Sequence, residues 1–447
     1  MTEINFAILL RSALQDEKFV KPKDIANELL SADIARYLDQ LEIDEIIPLL
    51  EHLPLEQRAE AFGYFPLERQ AALAKALPRA SLVTLVAAMS ADERADLVNG
   101  IDQHQRDALL PALAHVQRED LRKLCSYVEG SAGAVMTSEY STLDASLTAA
   151  QAIEALRREA ADAETIYQAY VLDEERRLLG TLSLRELILA TPDTRVADLI
   201  NKTVISINVD APQEQVARLI NDYDLLALPI VNKRGALVGI VTCDDAMDVV
   251  VEEATEDFHK GALISTRIGN LKNATISLLY RKRVLWLVLL VFGNLFSGAG
   301  IAAFEEIIAA NIALVFFLPL LVDSGGNAGA QSATLMVRAL ATGEVILKDW
   351  LRLLRRECFV ALALGLTMAV AVATLGLMRG GPSIAIIVAC SMMIIVLIGS
   401  LIGMSLPFLL SRMKLDPATA SGPLITSIAD AVGVLIYFGI ATQVLDL

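Results

Sequence analysis

The sequence predicts a multidomain protein with a soluble first part and a membrane-embedded second part. We expect an α-helical superhelical N domain, a pair of α/β modules, an amphipathic linking helix and a five-span α-helical transmembrane domain. The chain has 447 residues and is 54% apolar, yet its formal charge is −16. Up to Arg283 there are 45 acidic and 30 basic residues, whereas only 9 acidic and 8 basic residues follow. The negative charge therefore lies in the first part of the chain, whereas the part expected to lie in the membrane is nearly neutral.

A twelve-residue repeat marks the first domain, which we place at residues 1–130. Leu53, Phe65, Leu77, Met89 and Ile101 are twelve residues apart. Units such as "LPLEQRAEAFGY" combine an initial Pro or Ser, an early acid and apolar residues at helical spacing, which is typical of a short capped helix. One such helix cannot bury its own apolar face, so the repeat predicts stacked helices in a superhelix.

A duplication marks residues 131–252. "TIYQAYVLDEERRLLGTLSLRELILA" and the later "LLALPIVNKRGALVGIVTCDDAMDVV" each indicate two strands around a polar turn, then a Ser/Thr-x-x-acid helix start. The pair resembles CBS domains, which commonly sense nucleotides or ions. The resemblance implies Arg185 and Glu186 as candidate nucleotide contacts and ATP as a candidate ligand. Gln168 stands where a stacking aromatic is expected, which argues against ATP. The alternative is that Glu186 and Asp245 only cap helices.

The remaining chain predicts one linking helix and five spans. Residues 253–283 start acidic and end basic, which suits a helix dipole. The domain at 284–447 has five stretches long enough to cross about 30 Å of hydrocarbon. These predicted spans are 284–304, 311–340, 357–378, 383–411 and 422–446.

Basic residues predict the orientation of the spans. They cluster before the first span, between the second and third, and between the fourth and fifth, which predicts a cytoplasmic N-terminus and an external C-terminus in a bacterial inner (plasma) membrane. The first residues lack the features of a signal peptide. An odd number of spans cannot form a self-contained inverted repeat, which favours a homodimer.

Polar residues interrupt the second span. "PLLVDSGGNAGAQSATL", Pro319 to Leu335, contains three glycines, and it places Asn327 and Gln331 on one helix face. Tight helix–helix contact of the small-xxx-small type is one interpretation of the glycines. It leaves the two amides unexplained, whereas a watery pathway accounts for them.

Asp430 lies well inside the otherwise uncharged fifth span. A carboxylate there costs roughly 2.5–3.5 kcal/mol on insertion scales. Without an intramembrane Lys or Arg partner, its natural counter-charge is a passing cation, and we expect it to be the only charge on the pathway. The alternative is a structural carboxylate bonded to a hydroxyl. Together with Thr426, Asn327 and Gly326 it offers the oxygen ligands that suit a hard ion such as Mg²⁺.

The whole chain resembles the MgtE family of magnesium channels and transporters. The resemblance rests on the domain order and on "GGNAGAQSATLMVRALATGE", "DWLRLLRRE" and "LPFLLSRMKLDPATASGPLITSIADAVGVLIYF". It implies a homodimeric Mg²⁺ pore between spans two and five, with Asp430 at the family's pore aspartate. It also implies closure when cytosolic Mg²⁺ bridges acids of the N domain, the CBS pair and the linking "plug" helix. Those acids correspond to Glu60, Asp92, Asp96, Glu214, Asp224, Asp245, Asp248, Glu253, Glu256 and Asp257.

Other classes of function find less support in the residues. The acidic balance argues against nucleic acid as a partner. The four cysteines lack CxxC spacing, and none of the four histidines lies in a ligand-spaced or nucleophile-paired motif, so we expect no enzyme. Two alternatives remain: a broader divalent-cation transporter that passes Co²⁺ or Mn²⁺, and a membrane-anchored CBS nucleotide sensor.

Overall fold

The computed structural model describes residues 30–160, 163–264 and 274–445. The chain divides into two compact units, one ending at Glu252 and the other beginning at Glu253. Each unit is described separately below.

From Ser31 onward, the first unit contains a stack of short helices. They are α1 Ser31–Leu38, α2 Ile43–Glu51, α3 Leu55–Gly63, α4 Leu67–Ala76, α5 Arg79–Ala87, α6 Ala91–Gly100, α7 Gln103–Leu109 and α8 His115–Leu124. The predicted repeat is confirmed, because each repeated apolar residue lies two positions before a helix. Leu53, Phe65, Met89 and Ile101 are buried, and Leu77 packs against the same cluster.

The repeat also places a side-chain donor five residues after four of these five apolar positions, at Arg58, Gln70, Arg94 and Arg106. Arg58 donates to the carbonyl of Leu53 at 2.9 Å. Gln70 donates to the carbonyl of Phe65 at 2.8 Å. Such donors satisfy carbonyls that a helix end leaves without an intrahelical partner. The repeat therefore encodes the junction between successive helices as well as their apolar faces.

The predicted CBS duplication is confirmed as two three-stranded sheets. In each sheet the first strand pairs parallel with the second, and the second pairs antiparallel with the third. The strands are β1 Tyr140–Leu143, β2 Thr165–Leu172, β3 Leu178–Ser183, β4 Ile207–Asn208, β5 Ala227–Val231 and β6 Leu237–Thr242. The accompanying helices are α9 Ala149–Glu159, α10 Leu184–Leu189, α11 Val196–Leu199, α12 Gln213–Asp222 and α13 Cys243–Gly261. Buried side chains of the helical stack and of the second module form one apolar cluster, whereas the first module has its own.

Within residues 253–264 and 274–445, the second unit contains four helices that are long and apolar enough to cross a membrane. The helices of this unit are α14 Ile276–Ala302, the short α15 Glu305–Ala310, α16 Ala313–Ala341, α17 Trp350–Arg412 and α18 Gly422–Leu445. Five spans were predicted from the sequence. The difference lies in α17, whose 63 residues include both the third and the fourth predicted span.

Helix α17 folds back on itself at Gly381. This residue has a φ of 77° and a ψ of −170°, and Pro382 follows it. Gly376 lies against Ala385, and Gly365 lies against Met393, so the two halves run antiparallel. A straight helix of this length would measure about 95 Å, roughly three times the hydrocarbon thickness.

The predicted linking helix, residues 253–283, has different bounds in the structure. Residues Glu253–Gly261 continue α13 without a break, because nothing between Cys243 and Gly261 interrupts helical geometry. The basic end of the predicted segment belongs to α14, which begins at Ile276 with Thr275 as its N-cap. Residues 265–273 of the prediction lie outside the described residues.

Glycines bring α16 and the second half of α17 into backbone contact. A Cβ added at Gly399 would collide with the carbonyl of Gly325, and one added at Gly403 would collide with the carbonyl of Gly329. Both pairs are spaced by four residues, so one face of each helix matches the other. The close contact accounts for the burial of Gly325 and Gly329 and fixes which face of α16 remains exposed.

Candidate functional site

The exposed face of α16 is polar along much of its length. Its residues are spaced by three or four, which places them on one side of the helix. They are Asp323, Asn327, Gln331, Thr334 and Arg338, all exposed. We call these five residues the polar stripe. In a membrane helix, such groups lie against a bundle interior or a water-filled cavity rather than lipid.

Two carboxylates lie near one end of the polar stripe. The Asn327 Nδ2 donates to Asp323 Oδ2 at 3.0 Å. Asp323 also lies close enough to the half-buried Asp430 of α18 for their charges to repel each other. Asp430 was expected to be the only charge inside the spans, whereas Asp323 is a second carboxylate on the long apolar helix α16. The four-residue spacing between Asp323 and Asn327 was the sequence signal for the second carboxylate.

The remaining two predicted pore residues are in contact with each other. Gly326 of α16 is buried against Thr426 of α18, and a Cβ added there would lie 3.0 Å from Thr426 Cγ2. The Thr426 hydroxyl donates to the carbonyl of Pro423 at 3.0 Å. All four predicted pore residues thus belong to α16 or α18, two helices that pack together. The interpretation as tight helix–helix contact accounts for Gly326, whereas Asn327 lies on the exposed face of α16.

A second group of acids lies in the first unit, between α6 and the start of α13. We call it the acidic cluster. It consists of Asp92, Glu93, Asp96, Glu164, Asp244 and Asp245. Burial, with repulsion from Asp92, raises the pKa values of both Asp96 and Asp245 to about 7. Burial, again with repulsion from Asp92, raises the pKa of Glu93 to about 7 and that of Glu164 to about 8.

Asp92 is the centre of this cluster, because its charge acts on Glu93, Asp96, Glu164 and Asp245. Burial raises the pKa of Asp92 above its ordinary value. Its Oδ1 atom is buried and has no hydrogen-bond partner among the described residues. The compact arrangement therefore favours protonated acids at neutral pH unless a cation compensates their charge.

The predicted regulatory acids of the first unit are only partly brought together. Asp92, Asp96 and Asp245 belong to the acidic cluster, and Asp248 lies one turn further along α13, where burial and Asp244 raise its pKa. The other three lie elsewhere: Glu60 accepts a hydrogen bond from Ser31 at 2.8 Å, Glu214 lies in the first turn of α12, and Asp224 lies in a left-handed turn.

Sequence reasoning missed three members of the acidic cluster. Glu93 and Asp244 are direct neighbours of predicted acids, so adjacency was an available signal. Glu164 precedes β2 of the first CBS module and joins the cluster only through the tertiary fold. A cation also lies close by: the buried Arg94 forms an ion pair with Glu139 at 3.6 Å.

The predicted acids at the end of α13 form a separate group in the second unit. Lys260 Nζ lies 2.5 Å from Glu256 Oε1 and 2.6 Å from Asp416 Oδ2. Burial raises the pKa of Asp257 to about 6, and Asp416, Glu253 and Glu256 add to the effect while Lys260 opposes it. Asp416 lies between α17 and α18, so this contact joins the end of α13 to the helical bundle. Neither Lys260 nor Asp416 was predicted.

The candidate nucleotide residues take up a helix-capping arrangement. The Ser183 backbone N–H and hydroxyl donate to Glu186 Oε2 at 2.9 and 2.8 Å, and Arg185 is exposed. The Thr242 hydroxyl donates to Asp245 in the same way at 2.5 Å. In this structure, Glu186 and Asp245 therefore both cap the start of a helix. Throughout residues 30–160, 163–264 and 274–445, no group of three or more His, Cys, Asp or Glu side chains is placed to hold a metal ion.

Comparison with known proteins identifies the family. A family model described as a divalent cation transporter matches residues 318–440, the MgtE intracellular N domain matches 29–130, and CBS domains match 132–193 and 196–252. The magnesium transporter MgtE of Thermus thermophilus is 43% identical over 327 residues, which is 73% of each chain. The chain belongs to the MgtE family. The MgtE of Bacillus subtilis is 40% identical over 320 residues, which cover 71% of this chain and 70% of that one.

Solved structures agree with the MgtE assignment for the soluble part. The soluble part of a magnesium transporter covers 56% of this chain and 99% of its own, with 32% identity and a TM-score of 0.54. The cytosolic domain of the Mg²⁺ channel MgtE in complex with ATP covers 54% of this chain and 99% of its own, with 38% identity and a TM-score of 0.52.

Proposed function

We propose that this protein conducts Mg²⁺ across the bacterial inner membrane through a homodimeric pore that cytosolic Mg²⁺ closes. The observation that carries the proposal is the polar stripe of α16 beside Asp430 of α18, in a unit otherwise built of apolar helices. Its relatives are named magnesium transporters. A lipid-facing anchor has no need of two carboxylates at membrane depth, since each is costly there.

The oxygen groups near Asp430 suit a hydrated Mg²⁺ ion as the transported substrate. Mg²⁺ prefers octahedral oxygen coordination and releases its water reluctantly. Asp323 and Asp430 supply two carboxylates, and Asn327 supplies an amide that already bonds one of them. In a dimer, two copies would surround the ion with four negative charges, enough to attract a divalent cation without stripping its water.

The geometry supports a dimer and a five-span topology. The polar stripe is exposed in one chain, and a second copy facing it would enclose a polar pathway. In the soluble unit, the second CBS module exposes Tyr223, Leu226, Met247 and Val250, an apolar surface that a second copy would cover. Two crossings by the antiparallel halves of α17 would bring the number of spans to five, and the basic residues between the spans favour a cytoplasmic N-terminus and an external C-terminus.

The acidic cluster supports closure by cytosolic Mg²⁺. Its carboxylates repel one another when ionised, so the compact state of this unit is favoured only when protons or cations neutralise them. A divalent ion would do so at neutral pH. We propose that Asp92, Asp96, Asp245 and Asp248 take part there, and that Glu253, Glu256 and Asp257 act at the end of α13. The roles of Glu60, Glu214 and Asp224 remain predictions from the family resemblance.

Two further candidates differ in their ligand. The matching family model describes divalent cation transporters in general, which favours testing Co²⁺ and Mn²⁺ as substrates. A solved relative of the soluble part carries ATP, which favours a nucleotide at the CBS pair, with Arg185 and Glu186 as the candidates. A protein that only senses nucleotide would leave the polar stripe without a role.

Ion flux into liposomes tests the proposal. The purified full-length protein is reconstituted, and Mg²⁺ entry is measured with and without an imposed membrane potential. We expect Mg²⁺ flux that follows the potential, falls when Mg²⁺ is raised on the cytosolic side, and exceeds flux of Co²⁺ and Mn²⁺. Absence of Mg²⁺ flux at low Mg²⁺ on the cytosolic side would contradict the proposed function.

A further inference from the structure

The start of α17 presents a concentrated basic surface beside exposed apolar side chains. Lys348 lies in the turn before the helix, and Arg352, Arg355 and Arg356 lie in its first two turns. All four are exposed, and none forms an ion pair within the described part of the chain. At 100° per residue, the three arginines occupy an arc of about 100° on the helix surface.

The same arc continues along α17 as an apolar stripe. Phe359 is 75% exposed, Leu366 is 59% exposed and Val370 is 63% exposed. Their helical positions fall inside the arc of the three arginines, further from the helix start. A single face of α17 therefore passes from three positive charges to large apolar side chains within a few turns.

We propose that this face binds an anionic glycerophospholipid, with its phosphate on Arg352, Arg355 and Arg356 and its acyl chains along Phe359, Leu366 and Val370. Guanidinium groups bind phosphate oxygens through paired hydrogen bonds. The adjoining apolar stripe matches the acyl chains, which a free phosphate or a nucleotide lacks. Trp350, 38% exposed, stands at the start of the same helix, where tryptophan suits a membrane–water interface.

The general preference for basic residues on the cytosolic side of a membrane explains this arrangement less well than a lipid site does. Basic residues are expected at the cytosolic ends of spans, and Arg281, Lys282 and Arg283 of α14 are an example. Those three are consecutive, so they spread over an arc of about 200°. The arginines of α17 instead share one face with an apolar stripe. The α14 triplet therefore provides a control with the same number of charges.

The bound lipid would stabilise the junction between α16 and α17. Leu353 and Leu354, beside the arginines, pack with Met336 and Leu340 at the end of α16. A lipid held at the start of α17 therefore fixes the end of the helix that carries the polar stripe. The inference requires only that the chain spans a membrane, so it does not depend on which ion the protein conducts.

Thermal unfolding of the full-length protein in detergent tests the inference. The probes are dioctanoyl phosphatidylglycerol, dioctanoyl phosphatidylcholine and glycerol 3-phosphate. We expect phosphatidylglycerol alone to raise the unfolding temperature. The half-saturating concentration should rise on the order of 100-fold in the Arg352→Gln, Arg355→Gln, Arg356→Gln variant, since each basic residue near an anionic lipid contributes about fivefold. The matched Arg281→Gln, Lys282→Gln, Arg283→Gln variant should respond like the wild type.

Three outcomes would overturn the inference. Equal stabilisation by phosphatidylcholine would show that the headgroup charge is not recognised. Equal stabilisation by glycerol 3-phosphate would assign the site to free phosphates. An unchanged response in the α17 variant would remove the arginines from binding. If that variant does not fold, the single Arg355→Glu variant replaces it, with a rise in half-saturating concentration of at least fivefold expected and an unchanged value contradicting the site.

Discussion

At the scale of single residues, Asp323 and Asp430 are the two carboxylates whose removal tests the pathway. Asp430→Ala should leave folding and dimerisation intact and abolish or strongly reduce Mg²⁺ flux, because the cation loses the carboxylate on α18. Asp323→Asn should lower flux by about fivefold, since a unit charge a few ångströms away in a watery environment contributes about 1 kcal/mol. Reconstituted flux measures both, with Glu344→Gln in the exposed α16–α17 connection as the control. Normal flux in Asp430→Ala would remove this residue from the mechanism.

Residue positions were predictable from sequence where the signal was local. Asp430 stands alone in an apolar run, and its cost in the membrane marks it without any structure. Asp323 carries the same cost, but it stands in a segment rich in glycines and amides, where a single carboxylate is a weaker signal. Glu164 could not be predicted, because only the tertiary fold brings the strand β2 of the first CBS module to α6 and α13.

At the scale of elements, the glycine contact between α16 and α17 buries one face of α16 and leaves its polar face exposed. Gly403→Ala should destabilise the protein by about 1–3 kcal/mol, as overpacking does, because its Cβ would collide with the carbonyl of Gly329. Thermal unfolding in detergent measures the loss. Gly439→Ala is the matched control, since a Cβ there meets nothing within 4 Å and should leave the unfolding temperature unchanged or slightly raised. Equal unfolding temperatures for both variants would contradict the contact.

Elements defined by periodicity were predictable, whereas boundaries without a helix breaker were not. The twelve-residue repeat gave the helical stack, and the duplicated strand pattern gave both CBS sheets. The third and fourth predicted spans end and begin on either side of Gly381, where the structure interrupts the helical geometry of α17. No such signal separates α13 from the predicted linking helix, so the structure continues α13 to Gly261 where the sequence predicted a new element.

At the scale of the whole molecule, the acidic cluster makes the stability of the soluble unit depend on pH. The pKa values of Asp96 and Asp245 rise to about 7 in the folded state from about 4 in an unfolded chain. The folded state therefore binds more protons between about pH 4 and pH 7, and its stability falls as pH rises through that range. Without Mg²⁺, residues 1–264 should unfold at a lower temperature at pH 8 than at pH 5.

Mg²⁺ should reverse this effect of pH, because it binds the ionised carboxylates. Several millimolar Mg²⁺ should raise the unfolding temperature and the protease resistance of residues 1–264 at pH 8, and raise them much less at pH 5, where protons already neutralise the acids. An equal effect of Mg²⁺ at both pH values would show that the acidic cluster is not where Mg²⁺ acts. Ca²⁺ at the same concentration separates a general charge effect from a preference for Mg²⁺.

The proposed closure by cytosolic Mg²⁺ involves acids of both units, and these acids can be neutralised while Asp323 and Asp430 are left unchanged. Asp92 and Asp248 belong to the soluble unit, while Glu256 contacts Lys260 beside Asp416 in the helical unit. Neutralising all three by Asp92→Asn, Asp248→Asn and Glu256→Gln removes charges that cytosolic Mg²⁺ would bridge, while Asp323 and Asp430 stay in place. Patch recordings should then show openings that persist at millimolar cytosolic Mg²⁺, where the wild type closes.

A control variant with Glu174→Gln, Glu175→Gln and Asp193→Asn, all exposed, should close normally. Unaltered inhibition in the first variant would show that these three acids do not control the gate, and the assignment of the pathway to α16 and α18 would be unaffected.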